Sequence, residues 1–304
     1  MMKRITLLVT VLALCVGLAS AEKINVVTTT SDMASIAREI GGDRVEVVSL
    51  ITGVQDPHFV EPRPSMVVKI RKADLVLAVG LDLDIWVYSL IDAARNPKVN
   101  TGKTGFLDLS GPIKKLEVLP SGARVDASMG DVHPLGNPHY WLDPENGRLI
   151  ARQIAERLSI ICPADSDFFQ ANLKKFERRI DELIAWCQKK MEKLGEVKAV
   201  SYHRSLSYFC RRFPLKIVAE LEPKPGIPPG PAHLSRVVEL MKKEKVGLIL
   251  QEVFYNRKAA DFVARETGAR VVVFPNSVGG TPEVRDYFSL LETIVSLITG
   301  EQQL

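Results

Sequence analysis

From Asp165 to about Leu194 the chain runs for roughly thirty residues without glycine or proline, and apolar side chains recur at helical spacing at Phe168, Phe169, Leu173, Phe176, Ile180, Leu183, Ile184 and Met191. A helix of that length spans about 45 Å at about 1.5 Å per residue, too long for one α/β layer. It reads either as a long amphipathic surface helix or, more sharply, as a spar joining two lobes. The lack of helix breakers before Gly195 favours stiffness. A length of 304 residues agrees, since it suits two domains that each bury a core.

Both sides of the spar show the same alternation. Ile24 to Thr29 is β-branched and apolar, a buried-strand pattern; Ser31 or Asp32 caps a helix through Met33, Ile36, Ala37 and Ile40 that stops at Gly41-Gly42; Val45 to Ile51 is again a strand. This β-α-β unit is the local signature of a parallel sheet. A short helix from Met66 to Lys72, a strand from Ala73 to Val79, a helix from Asp84 to Ala94 and a strand around Phe106-Leu107 follow. Residues 110–135 have no period, and Asp126 to His133 reads as a mobile surface loop. A helix from Gly147 to about Ile161 precedes the spar. Beyond it, strands are expected at Lys198 to Tyr202, Leu215 to Ala219, Val246 to Gln251 and Arg270 to Phe274, with helices between them and a last helix from about Pro282 to Thr299. The expected fold class is α/β, two lobes with mostly parallel sheets joined by one long rigid helix. The expected division is a leader at 1–21, an N-terminal lobe at 22–162, a linking helix at 163–195 and a C-terminal lobe at 196–304.

The first residues point to export. A short basic start through Lys3 and Arg4, an apolar run from Ile5 to Leu18 and the small-residue pattern Ala19-Ser20-Ala21 make a secretory signal peptide cleaved after Ala21. Its core is too short for a membrane span, and no later run reaches the roughly 20 apolar residues that a span needs. A lipid anchor on Cys15 is disfavoured, because Leu14 stands where a lipoprotein signal wants a small residue. Removing the leader takes Lys3 and Arg4 from a formal charge of only +4, and no arginine-rich run or RNA-binding signature occurs, so nucleic acid is not an expected partner. Cys162, Cys187 and Cys210 remain, an odd count that allows at most one internal disulfide.

Five histidines are present, and three share one setting. His58, His139 and His203 each lie beside proline or an aromatic residue, in a loop near a strand end, where the loops of a parallel sheet converge on a crevice. His58 sits in DPHFVEPRPS, whose prolines hold the loop extended. His139 sits in GNPHYWLDPEN, where Asp143 and Glu145 read as caps of the next helix. Three imidazoles and an oxygen suit zinc and would accept manganese or iron, although the spacing matches neither a zinc finger nor HExxH.

In order along the chain, VVTTTSDMASIAREIGG, DPHFVEPRPS, NPHYWLDPEN, SYHRSLSYFCRRF, EPKPGIPPGPAHL and VFPNSVGG resemble the metal-binding solute-binding proteins of zinc and manganese ABC importers, the group of periplasmic zinc-binding proteins and manganese-binding lipoproteins. The likeness covers nearly the whole mature chain. It implies a metal held in the cleft between two lobes, with His58, His139 and His203 as the first three ligands. Histidine at 203, where manganese-type members often carry glutamate, tilts the reading to Zn2+ with Mn2+ possible. The family's fourth ligand, an aspartate, aligns with Asn276, a weaker neutral donor that leaves the site one negative charge short. Asn276, water, Glu252 and His133 are the alternatives for that place. His233 reads as structural, the His-rich loop of some zinc members is absent, and His133 with Asp126 and Asp131 makes at most a sparse metal-catching loop. The resemblance implies a monomeric periplasmic receptor that passes its cargo to an ABC permease of the inner membrane and is not an enzyme. The competing readings are a Mn2+/Fe2+ receptor, a tri-histidine zinc hydrolase, and the cell-adhesion role credited to some relatives.

Overall fold

The computed structural model describes residues 22–120, 122–123, 126 and 129–300, and the expected leader with Cys15 lies outside them. The first half forms strands β1 (Ile24–Thr28), β2 (Val45–Ser49), β3 (Leu75–Ala78) and β4 (Phe106–Asp108). The second forms β5 (Val197–Ser201), β6 (Leu215–Glu220), β7 (Leu248–Glu252) and β8 (Arg270–Phe274). They pair into two parallel four-stranded sheets of the same winding, β2-β1-β3-β4 and β6-β5-β7-β8. The fold is the two-lobed α/β architecture that the alternation implies.

A side-chain period of two sorts each central strand between two cores. In β3, Val76 and Ala78 pack with Met66 and Ile70 of α2 (Pro64–Arg71) and with Val87 and Leu90 of α3 (Trp86–Ala94). Leu75 and Leu77 face the other way, towards Ile36 and Ile40 of α1 (Ser31–Gly41). After the short α6 (Ser207–Arg212), Ile249 of β7 packs with Val237 and Met241 of α7 (Pro231–Glu244) and Val263 of α8 (Lys258–Thr267), while Leu248 and Leu250 join the central core. That core is continuous from one sheet to the other and passes through α4 (Pro144–Ile161) and α5 (Ser166–Glu192).

The spar is α5, 27 residues and about 40 Å long. Phe169, Leu173, Phe176, Ile180, Leu183, Cys187 and Met191 make its buried stripe, which settles against α1 and α4. The last helix, α9 (Tyr287–Thr299), returns from the second half to cover it, with the Phe288 ring 5.0 Å from Phe176 and the Arg179 guanidinium 3.7 Å from the Phe288 ring centre. Cys162, Cys187 and Cys210 are free thiols, and burial pushes those of Cys187 and Cys210 up to about 12. Among the described residues no helix is long and apolar enough to cross a membrane.

Two helix starts differ by three residues or more from the sequence reading. α4 begins at Pro144, a turn before Gly147, because the Asp143 carboxylate accepts from Glu145 N–H at 3.0 Å and proline suits the first helical position. Gly147 therefore lies inside the helix, where an added Cβ would stand 2.4 Å from the Tyr287 hydroxyl. α9 begins at Tyr287 rather than Pro282, since Asp286 and Ser289 form a reciprocal capping box there.

The N-terminal end of α1 is clipped to the loop after β8. Ser31 Oγ donates to Val278 O at 2.7 Å, Val278 N–H donates to Asp32 Oδ1 at 2.8 Å, and Tyr287 N–H donates to Ser35 Oγ at 2.9 Å. Burial raises the Asp32 carboxyl from 3.8 to about 7, partly offset by the hydrogen bond from Val278. A raised folded-state value stabilises the protonated form, so this contribution is complete below 3.8 and is lost as the pH rises through about 7. Asp32→Asn should therefore gain stability relative to the parent as pH increases across that window, read by urea unfolding at several pH values. A difference between the two proteins that does not change with pH would show that Asp32 ionises in the folded chain as it does in the unfolded one.

Candidate metal centre

The loops that leave the carboxyl ends of the strands meet between the sheets, and they carry the three histidines singled out by the sequence. His58 and His139 are built by one local device. In Asp56-Pro57-His58 the Asp56 Oδ1 accepts from His58 N–H at 3.0 Å and lies 2.7 Å from the ring Nδ1. In Asn137-Pro138-His139 the Asn137 Oδ1 accepts from His139 N–H at 2.9 Å and lies 3.0 Å from Nδ1. The short side chain two residues back thus closes a turn onto the backbone, and the proline between removes a degree of freedom. His203, two residues beyond β5, is held differently. Its Nδ1 lies 2.9 Å from Glu222 Oε2, a carboxylate from the loop after β6 whose own N–H donates to Tyr202 O at 3.1 Å.

All three Nδ1 atoms face an oxygen acceptor, so each ring takes the tautomer with the proton on Nδ1 and the lone pair on Nε2. The rings converge, with centroids 5.1 Å apart for His58 and His139, 5.0 Å for His58 and His203, and 5.1 Å for His139 and His203. One donor atom from each lies within 4.8 Å of the others. Nε2 of His58 and of His139 is buried without a hydrogen-bond partner, a costly state for a polar atom unless it serves a ligand.

The surroundings set the charges. Burial holds His139 well below its ordinary value, and the neighbouring His203, His58 and His133 act in the same direction, so its ring is neutral. Burial also works against protonation of His203, but the hydrogen bond to Glu222 and the nearby Glu252 and Asp56 carboxylates outweigh it and raise that ring. A proton and a metal ion therefore compete for His203 Nε2. For Asp56, burial alone would raise the carboxyl; the hydrogen bonds and charge of His58 win and lower it.

The other sequence candidates fall around this trio. Asn276 is buried, its Oδ1 has no hydrogen-bond partner, and its carbonyl accepts from Trp141 Nε1 at 2.8 Å, with the Trp141 ring 5.4 Å from that of His139. Glu252 ends β7; Ser205 Oγ donates to its Oε1, its Oε2 has no partner, and burial raises it to about 7. His133 is not a solvated loop residue. Its ring lies 5.2 Å from that of His58, and burial lowers it to about 3. His233 stands apart, with Nε2 3.0 Å from Glu220 O, in a structural role. Sequence reasoning passed over Asp56, Asn137 and Glu222. The repeated Asx-Pro-His carried a signal for the first two, whereas Glu222, nineteen residues from His203, carried none.

A family model described as zinc-uptake complex component A periplasmic (ZnuA) matches residues 26–300. The manganese ABC transporter substrate-binding lipoprotein PsaA of Streptococcus pneumoniae serotype 4 is 26% identical over 282 residues, which is 90% of this chain and 87% of PsaA. The crystal structure of ZnuA superposes with a TM-score of 0.78 at 23% identity, covering 92% of this chain and 99% of that one. A mutant structure of the laminin-binding adhesin Lmb of Streptococcus agalactiae superposes with a TM-score of 0.76 at 25% identity, covering 92% and 100%. PsaA is named a lipoprotein, which stands against the expectation, drawn from Leu14, that a lipid anchor on Cys15 is disfavoured. On these matches the chain belongs to the ZnuA family, the substrate-binding proteins of metal ABC transporters.

Proposed function

We propose that this receptor captures a divalent transition metal, Zn2+ in the first place, on His58, His139 and His203 in the cleft between its lobes and delivers it, as a monomer, to an ABC permease in the inner membrane. The observation that carries this reading is the set of three oxygen-capped Nδ1 atoms, which leaves three imidazole lone pairs in one small space, with a donor atom of each ring within 4.8 Å of the others. Three imidazole nitrogens favour zinc over manganese, whose sites are richer in carboxylate. The lobes span 22–162 and 196–304, joined by 163–195, and the stiff α5 limits their closure to small adjustments.

For the fourth ligand we take Asn276, whose buried amide oxygen has no other partner. Zinc titration of the mature chain is expected to show one tight site that is lost in His58→Ala and in His203→Ala. Esterase and phosphatase assays of the zinc-loaded protein should give nothing above the solvent rate; a zinc-dependent turnover abolished by the same substitutions would replace the receptor reading with a hydrolase.

Asn276→Asp is expected to tighten zinc binding, because it restores a carboxylate next to a dication. Unchanged or weaker binding would remove Asn276 from the metal and leave water, Glu252 or His133 in its place. The groups that hold the rings should matter nearly as much as the rings. Asp56→Ala and Glu222→Ala are each expected to weaken zinc by about 10–100-fold, the usual effect of losing the partner of a ligating histidine. Calorimetric affinities equal to the parent's would mean that Nδ1 capping does not organise the site.

A further inference from the structure

We propose that Glu117 is a positioning residue for metal capture: it fixes the amide of Asn137 so that His139 turns the Nε2 lone pair, and not an N–H, to the ion. This rests on the reading of His139 as a ligand. A neutral imidazole carries one ring proton, so whatever faces Nδ1 decides what Nε2 can offer. Asn137 Oδ1 lies 3.0 Å from Nδ1 and draws the proton there. The same amide turned end for end would set its NH2 group against Nδ1, send the ring proton to Nε2 and close the ligand position.

The other end of the amide meets three acceptors. Asn137 Nδ2 donates to Glu117 Oε2 at 3.0 Å and to Arg204 O at 2.8 Å, and Ser207 Oγ stands 3.3 Å away. A hydroxyl or a water molecule tolerates either end of an amide, because it both donates and accepts. A carboxylate and a carbonyl only accept, so they admit the nitrogen alone. Arg204 O belongs to the second lobe and holds the amide only while the lobes stay in contact. Glu117 comes from the same lobe as His139, and as a charged acceptor it makes the stronger bond. The cavity of about 370 Å³ beside the histidines is lined by Glu117, Asn137, His139 and Arg204, so water can take the place of a missing carboxylate but not its one-way preference.

The backbone is strained at this position. Glu117 has a φ of +57°, in the left-handed region that favours glycine. Its neighbour pins the turn from two sides: Leu116 N–H donates to Tyr208 OH at 3.1 Å, and Leu116 O accepts from Asn137 N–H at 2.8 Å. Glu117 Oε1 accepts from Ser207 Oγ at 2.6 Å, at the start of α6. An exposed side chain with no part in a core is thus kept in a glycine conformation, and its two oxygens reach the residue that orients His139 and the facing lobe.

Nitrogen-15 shifts of the histidine rings in the metal-free mature chain read the tautomer, with His139 assigned by the signals lost in His139→Ala. Glu117→Gly and Glu117→Lys, the latter presenting only donors to Asn137, are expected to move the two His139 nitrogens towards the other tautomer, most in the lysine variant, while those of His58, held by Asp56, stay. Glycine suits the left-handed backbone, so loss of the fold does not stand in for loss of the bond. Zinc affinity should fall by about 3–10-fold in Glu117→Gly, less than the roughly 10–100-fold usual for the direct partner of a ligating histidine. Glu117→Gln, whose amide oxygen can accept from Asn137 in its place, should match the parent in both readouts. His139 shifts that stay in place in the glycine and lysine variants would overturn the proposal whether or not affinity falls, and so would shifts that move with no loss of affinity. A glutamine variant as weak as the glycine one would overturn it too, since charge and not the bond would then be the cause. Zinc affinity unaltered in His139→Ala would instead remove His139 from the metal, and the role of Glu117 with it.

Discussion

The segment from Gly136 to Asn146 is bonded to both halves of the molecule at once, and the geometry of the cleft depends on that. Tyr140 OH donates to Val79 O at 2.7 Å at the end of the first sheet, Trp141 Nε1 donates to Asn276 O at 2.8 Å beyond the second, and Tyr287 OH donates to Trp141 O at 2.5 Å. Tyr208 OH donates to Asn137 O at 3.0 Å. Asp143 is fully buried, yet it caps α4 and accepts from Arg212 Nε at 3.0 Å and Arg211 at 3.3 Å. A carboxylate so enclosed is tolerated because each lone pair has a partner, and removing both arginines would leave an uncompensated buried charge. The lobes are thus fastened by directional bonds at one end of the cleft and by the apolar packing of α5 against α9 along its back.

That fastening lets short loops act as rigid ligand carriers. In both Asx-Pro-His turns the same oxygen holds the backbone and the ring, so the ring cannot rotate without breaking the turn. Asn137 is itself fixed from across the cleft, since its amide donates to Arg204 O at 2.8 Å, and on its own side it donates to Glu117 Oε2 at 3.0 Å. His203 has no turn of its own and borrows Glu222 from the neighbouring strand's loop. Two rings therefore depend on local chain geometry and the third on the pairing of β5 with β6.

The distribution of information between sequence and fold follows from this. Periods of two and 3.6, and the unbroken apolar stripe of α5, are local properties, so the two sheets and the spar were legible. The start of α4 is not legible because Pro144 reads as loop although proline suits a first helical residue, and that of α9 because Pro282 resembles a helix start while the capping box at Asp286 lies further on. The three histidines were found because proline and aromatic neighbours mark them. The segment holding Asp131 and His133 has no period and so reads as a mobile surface loop; a backbone hydrogen bond to Pro225 and a glycine with no room for a side chain fix it, and neither shows in a pattern of side chains.

On the proposed reading, the neutral amide at position 276 is matched by charge placed one bond further out. An aspartate there would bring its negative charge to the ion directly. In this chain Asp56 and Glu222 sit behind His58 and His203, each accepting the Nδ1 proton of its ring, and a carboxylate in that position makes the opposite nitrogen a stronger donor. Hydrogen bonds from His58 already hold Asp56 below the ordinary carboxylate range, so its charge is in place before the cargo arrives. The dication then meets neutral ligand atoms backed by two carboxylates, with only His139 backed by a neutral amide. Such a site keeps electrostatic attraction while it leaves every contact atom uncharged, a balance that suits a receptor that has to let its ion go.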